Sequence, residues 1–326
     1  MNRVPAVVTL SLIVCLAIAT AAAAQERTVF CYTDHDGTGC FIHLNGRDWM
    51  ELTGVGDRFT FIETSRGESS IELFDHSRDG VGVRIFKDQS EWRNSQDTHG
   101  QWAPLWPGSW KTSADLRATF RQWGLTPTKQ GERGTCSVFT TTTALEFAFS
   151  RRLGRSVRLS VEYLNWAANR ATGESKDGQF FHDCLAGFEK FGICDAADMP
   201  YTAEFDPKLA PSAKARANAR SLRNAAAGDI RIHWINPWKP KPGLTDVHLH
   251  EIKGVLAKGW PVAAGSEHSR LLVGYRDNTQ QPGGGVFFDD DSATGNFEEV
   301  TYEFVKKNVG DVFWVEASIK PPQGHK

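Results

Sequence analysis

The chain of 326 residues has no excess of either charge: 37 Lys and Arg stand against 39 Asp and Glu, a formal net charge of -2. That balance gives no electrostatic footing for nucleic acid, and no such partner is expected. Long apolar runs are as scarce. Beyond the N-terminal segment nothing is long and apolar enough to cross a bilayer, so no membrane span is expected. Metal-ligand patterns are also wanting. His248 and His250 sit two positions apart near the start of a helix, on different faces, and read as surface residues. The Asp34-His35-Asp36-Gly37 turn lacks the spaced carboxylates and closing Glu of a calcium loop. No metal and no organic cofactor is expected.

What is present is an ordinary globular composition, 40% hydrophobic and 23% charged, with room for one large or two modest domains. Arg3, an apolar core over residues 7–18 and Ala21-Ala22-Ala23-Ala24 read as a secretory signal peptide over residues 1–24. Cys15 would leave with it, and the bulky Val14 argues against a lipoprotein. A soluble product is expected outside the cytoplasm, secreted or periplasmic. Residues 25–100 read as a small β-rich accessory module. Phe59-Thr60-Phe61-Ile62-Glu63, Ile71-Glu72-Leu73-Phe74 and Val81-Gly82-Val83-Arg84-Ile85-Phe86 alternate, with turn residues at 66–69 and 77–80. Its ligand, if it has one, is unknown from sequence. Residues 101–110, with Trp102, Pro104, Trp106, Pro107 and Trp110, read as a linker. Its tryptophans fit a staple onto neighbouring elements better than an exposed sugar platform.

The stretch Gln130-Gly131-Glu132-Arg133-Gly134-Thr135-Cys136-Ser137-Val138-Phe139 is a Gly-rich turn delivering a cysteine to a helix start. Ala144, Leu145, Phe147, Ala148 and Phe149 supply the helix with apolar residues, and Gly154 its end. Thr140 to Thr143 are poor helix formers, so burial must carry the element. A thiol at a helix N-terminus meets the positive end of the dipole, which favours thiolate. A buried core cysteine after an ordinary turn is the competing reading. Further on, Ser160 caps a helix to residue 171, Gly178 opens another through Cys184 to Gly192, and residues 211–227 form a basic, alanine-rich solvated helix.

Gln130, Gly131, Gly134 and Cys136 match in register the nucleophile motif of the papain-like cysteine peptidases, which the chain resembles from about residue 110 to 319. Leu159-Ser160, Tyr163-Leu164 and Pro200-Tyr201 are similar to family positions. The segment Ile252-Lys253-Gly254-Val255-Leu256 through Trp260-Pro261-Val262-Ala263 resembles the approach to the family's histidine. His268-Ser269-Arg270-Leu271-Leu272-Val273-Gly274-Tyr275 then follows, 132 positions after Cys136 (268 − 136). The resemblance implies Cys136 as nucleophile, His268 as its base and Gln130 with the Cys136 N–H as oxyanion hole. Asp291-Ser292 falls where the family has Asn-Ser, making Asp291 the orienter of the imidazole, with Asp290 as fallback and Asp289 a solvated loop residue. Gly178 occupies the substrate-binding wall, although Gln179 replaces the second glycine usual there. Ser137 stands where most members have Trp, and the Trp after Asn-Ser is missing. Arg133 replaces a disulfide cysteine, so the bridge beside the nucleophile should be absent.

Of the five cysteines left after the signal, Cys31 pairs with Cys40 and Cys184 with Cys194 in the simplest scheme, leaving Cys136 free. Spacing alone does not fix that connectivity. The implied class is α+β: a helical and a β-barrel-like subdomain over residues 111–320, preceded by the small antiparallel β domain, with a tail at 321–326. The expected activity is that of a secreted cysteine endopeptidase, a monomer acting on peptide or protein substrates. A thiol acyltransferase or transamidase on the same Cys-His-Asp site, and a catalytically dead binding domain, are the rivals.

Overall fold

The computed structural model describes residues 27–225 and 229–318. The expected signal peptide and the tail at 321–326 lie outside the described residues. No described helix is long and apolar enough to cross a membrane.

The first strands are β1 (Val29–Asp34), β2 (Gly37–Asn45), β3 (Asp48–Leu52), β4 (Arg58–Arg66), β5 (Ile71–Asp75), β6 (Val81–Ile85), β7 (Gln89–Arg93) and β8 (Ala103–Trp110). Each pairs antiparallel with the next, and β8 returns to β1, closing an eight-stranded barrel. Strand alternation has two uses here. Phe30, Tyr32, Phe41, Trp49 and Phe61 fill the barrel. Val29, Cys31, Cys40, Ile42, Met50 and Leu52 point the other way and join the main core of the molecule. A disulfide joins Cys31 and Cys40, opposite one another on β1 and β2.

The linker reading of residues 101–110 is corrected by β8. Pro104 and Pro107 suggested a break, yet both sit in a strand whose register with β7 is irregular, a position that tolerates proline. The tryptophans are structural. Trp106 stacks on Tyr32 with ring centroids 4.1 Å apart, and Trp110 donates from Nε1 to the Phe86 carbonyl at 2.9 Å.

After the barrel come β9 (Ser113–Asp115), α1 (Arg117–Gln122), α2 (Cys136–Leu153), α3 (Val161–Thr172), α4 (Phe181–Phe191) and α5 (Ala213–Ala225). Then follow β10 (Ile230–Asn236), α6 (Asp246–Lys258), β11 (Val262–Gly265), β12 (Arg270–Asp277), β13 (Gly285–Asp291), β14 (Asn296–Thr301), α7 (Tyr302–Asn308) and β15 (Asp311–Ala317). The architecture is therefore mixed helix and sheet. The second sheet runs β10-β15-β11-β12-β13-β14, with β9 added on β12. α2 keeps its threonines because Thr140, Thr141 and Thr142 are buried, and Thr141 Oγ1 donates to the Ser137 carbonyl at 2.8 Å. Gly154 ends it in the left-handed conformation. Ser160 caps α3 by accepting from the Tyr163 N–H at 2.9 Å. The helix expected to open at Gly178 starts later, at Phe181.

α6 joins the two parts. Its Gly254 lies so close to β2 that a Cβ there would meet Ile42 Cδ1 at 2.1 Å. Arg58 and Glu251 pair across the same seam at 2.8 Å, and His250 reaches the Leu44 carbonyl at 3.2 Å. His250 thus belongs to an interface and not to open surface, because the barrel covers that face of the helix. Gly254→Ala is expected to destabilise the protein by roughly 1–3 kcal/mol through overpacking. In urea unfolding, Ile42→Ala in the same chain should recover part of that loss, and strictly additive effects would refute a shared contact.

Candidate active site

Three segments from different elements meet at Cys136. α2 presents the cysteine as its first residue, on a turn that begins at Gln130. The hairpin between β11 and β12 presents His268 and Ser269, and the end of β13 presents Asp291. His268 Nε2 lies 2.7 Å from Asp291 Oδ1. The Cys136 thiol is hydrogen-bonded to His268 and to Ser269, which leaves Nδ1 as the imidazole atom facing sulfur. The Ala293 N–H donates to Asp291 Oδ1 at 2.7 Å and fixes the carboxylate in a tight turn.

The electrostatics fit an ion pair. Burial raises the Cys136 thiol, but the hydrogen bonds from His268 and the Ser269 backbone, and the imidazole's charge, outweigh it and bring the thiol below its ordinary value. The bond to Asp291 first, and the bond to Cys136 second, push His268 up to about 9. Asp291 is raised by burial, yet its bonds to His268 and the Ala293 N–H hold it below the usual carboxylate range. Both shifts favour a thiolate–imidazolium pair, a nucleophile with its proton donor alongside.

Gln130 is tied on every side. Its N–H donates to the Ser292 carbonyl at 2.8 Å, its Oε1 accepts from Ser292 Oγ at 2.7 Å, and its Nε2 donates to the Arg133 carbonyl at 2.7 Å. One amide hydrogen remains uncommitted. Gly178 lies beside the cysteine on the cleft wall with φ +87°, and a Cβ there would meet the Gly134 carbonyl oxygen at 2.0 Å. Its N–H is committed to Asn165 Oδ1 at 3.1 Å, leaving its carbonyl for a ligand. Ser137 donates its hydroxyl to the Gln179 carbonyl, so the residue in place of the usual Trp binds the wall next to Gly178.

Two expectations fail. Cys184 and Cys194 are both free thiols. Cys184 sits on α4 in the main core, whereas Cys194 packs with Tyr163, Met199, Ala215 and Ala219 in a separate cluster, so the sulfurs face different interiors. Burial pushes Cys194 up to about 12 and Cys184 higher still, so neither competes with Cys136 as a thiolate. Asp289 is not a solvated loop residue. It is wholly buried in β13, 3.1 Å from Arg270 Nε, and burial pushes it up to about 7. Asp290, the fallback orienter, points to the opposite face, where burial and Glu146 of α2 push it up to about 8. Strand alternation separates Asp290 from the imidazole that Asp291 reaches.

A cavity of about 560 Å³ is lined by Cys136, Gly178, Phe180, Trp238 and Asp311 among others. No barrel residue lines it among the described residues. Phe180 and Trp238 are exposed at its rim with ring centroids 5.8 Å apart. Sequence reasoning missed this end of the cleft. Trp238 lies in a Pro- and Lys-rich loop without periodicity, and Asp311 immediately precedes the apolar run at 312–315 of its strand. An acidic residue against that apolar run was the available signal.

No protein-family model matches the chain, and no curated protein matches it. Among solved structures it is similar to xylellain, a cysteine protease from Xylella fastidiosa: 16% identity, 64% of this chain, 86% of that one, TM-score 0.48. Procathepsin L 3 of the Tenebrio molitor larval midgut is 15% identical over 63% of this chain and 70% of its own, TM-score 0.45. The proform of the ragweed cysteine protease Amb a 11 is 16% identical over 65% and 67%, TM-score 0.46. The solved structures it resembles are papain-like cysteine proteases.

Proposed function

We propose that the chain is a papain-like cysteine endopeptidase acting outside the cytoplasm, with the helices α1–α4 on one side of the cleft and the second sheet on the other. The observation that carries this reading is the Cys136–His268–Asp291 constellation, in which the thiol is lowered and the imidazole raised together. The thiolate attacks a peptide carbonyl. The Cys136 N–H and the uncommitted Gln130 hydrogen bind the resulting oxyanion, donors of a kind worth about 100- to 1,000-fold in rate. His268 passes its proton to the departing amine, leaving a thioester. It then takes a proton from water, which releases the acid and restores the pair. Gly178, through its carbonyl, would align the substrate backbone. No step draws on a metal or organic cofactor. The barrel's position behind α6 supports an accessory module over an inhibitory segment, and the Cys31–Cys40 disulfide is consistent with an extracytoplasmic product.

Asp311 bears on the substrate. The residue is 5% exposed and lines the cavity, and no ion pair holds it among the described residues. Burial pushes it up to about 6 against the weak pull of His182. A substrate guanidinium or ammonium would supply the missing partner, so peptides placing Arg or Lys there are preferred, increasingly as pH rises through about 6. Asp311→Asn should lower kcat/KM for an Arg peptide roughly 30- to 100-fold and leave a Leu peptide nearly unchanged. Equal losses on both peptides would remove the assignment.

The defining test labels the protein with an epoxide inhibitor of cysteine peptidases and locates the adduct by mass spectrometry. Adduct on Cys136 that requires His268, with peptide turnover, is the expected result. Adduct without hydrolysis, but with transfer to an added amine, would make it an acyltransferase. No selective adduct on folded protein would leave a binding domain.

A further inference from the structure

Arg133 stands where many papain-like enzymes have a disulfide cysteine, and the structure shows what replaces the bridge. The side chain is 5% exposed. Its Nη1 donates to Glu162 Oε2 on α3 at 2.6 Å and to the Thr202 carbonyl at 2.9 Å. Its Nη2 donates to Asp177 Oδ1 at 2.8 Å, and Nε to the same carboxylate at 3.1 Å. The guanidinium also lies 4.5 Å from the Tyr201 ring centroid. The Tyr201 hydroxyl in turn donates to the Gln130 carbonyl at 2.9 Å and meets Thr135 Oγ1 at 2.7 Å. The backbone of Arg133 completes the circle by accepting the Gln130 amide.

One planar fork therefore ties the loop before Cys136 to α3 and to the cleft wall at 176–178. We propose that Arg133 is a positioning residue: through Asp177 it sets the distance of the Gly178 wall from Cys136, and through its carbonyl it aims the Gln130 amide. The clamp is an ion pair where related enzymes have a covalent bond. This inference rests on the peptidase reading above. The geometry demands arginine. Five donors in a rigid plane serve Glu162, Asp177 and Thr202 at once, whereas a lysine ammonium is a single point charge that reaches one of them well. The Glu162 end is buried and anchors the fork; the Asp177 end is the part that reaches the wall.

Removing Arg133 outright would leave the buried Glu162 without its counter-charge, held only by Thr202, and threaten folding. Two gentler variants avoid that. Asp177→Asn leaves the Arg133–Glu162 pair in place and loosens only the wall. Arg133→Lys keeps the charge but loses the fork. For both, KM for a peptide is expected to rise about tenfold while kcat falls by less than about threefold, because substrate alignment is lost and the thiolate is not. The pH midpoint of Cys136 alkylation by iodoacetamide should stay where it is in the wild type, since neither variant touches His268 or Asp291. KM within twofold of wild type in both variants would overturn the proposal. So would a shifted alkylation midpoint with kcat falling in step with KM, which would mean a general disturbance of the site. A wild-type protein that neither turns over peptide nor alkylates selectively at Cys136 would overturn the peptidase reading itself, and the clamp with it.

Discussion

His268→Ala is expected to lower kcat/KM for a peptide roughly 10,000-fold, a loss on the scale of removing the nucleophile itself. In the proposed mechanism the imidazole does two things at once: it stabilises the thiolate and it carries the proton for the leaving amine. Without it the Cys136 thiol is still raised by burial and loses the His268 bond and charge, keeping only the bonds from Ser269 to bring it down. The pH profile reports the same pair. The imidazolium half of the pair is fully present below the pKa of His268 and is lost as pH rises through about 9, so the alkaline limb of kcat/KM is expected there. The acid limb follows protonation of the thiolate. Asp291→Asn keeps an acceptor for Nε2 and removes the charge, so the alkaline limb should move from about 9 towards the ordinary imidazole value of 6.5. Asp291→Ala removes the orienter as well and should cost more than the amide. Steady-state rates between pH 4 and 10 check this, and an alkaline limb unmoved in Asp291→Asn would refute the role of the carboxylate.

Asp290→Asn stabilises the protein by roughly 2–4 kcal/mol at pH 9 and changes it little at pH 4. Asp290 is pushed up by burial and by Glu146 to about 8, from an ordinary 3.8. Between those values the unfolded chain has released the proton and the folded chain has kept it. Stability contributed by the neutral buried form is therefore lost progressively as pH rises from about 4 through about 8. Glu146 adds to the same slope. It is held by the Leu159 N–H at 2.7 Å and by Arg158 at 3.3 Å, yet burial still pushes it up to about 7. Asp291 has the opposite sign, because its folded value is depressed. The amide at 290 removes the cost of ionising a carboxyl whose Oδ2 has no partner. Urea unfolding at pH 4 and pH 9 measures the difference, and an equal effect at both pH values would exclude a titrating cause.

Much of the catalytic geometry was legible because it is local. The Gly-rich turn before Cys136, the apolar helix after it and the Gly154 stop are short-range chemistry. His268 opening an apolar strand stood out only through the family resemblance and its separation from Cys136. Asp291 was distinguishable from Asp290 only as a matter of register, and a one-residue slip in a strand reverses the face. The barrel was half legible. Alternation marked β4, β5 and β6, but the prolines in β8 disguised the strand that closes the ring.

By itself, then, the sequence offered Cys136 as a candidate nucleophile from the local chemistry of a helix start, and named His268 and Asp291 as candidate base and orienter through the family resemblance. Tertiary structure decided the rest. It decided that Cys184 and Cys194 face separate interiors, that Arg133 joins three segments through one guanidinium, that Asp289 is buried on one face of β13 and Asp290 with Glu146 on the other, and that Asp311 lines the cleft. Each depends on contacts between residues far apart in the chain, where burial and charge act through space and leave no period in the sequence.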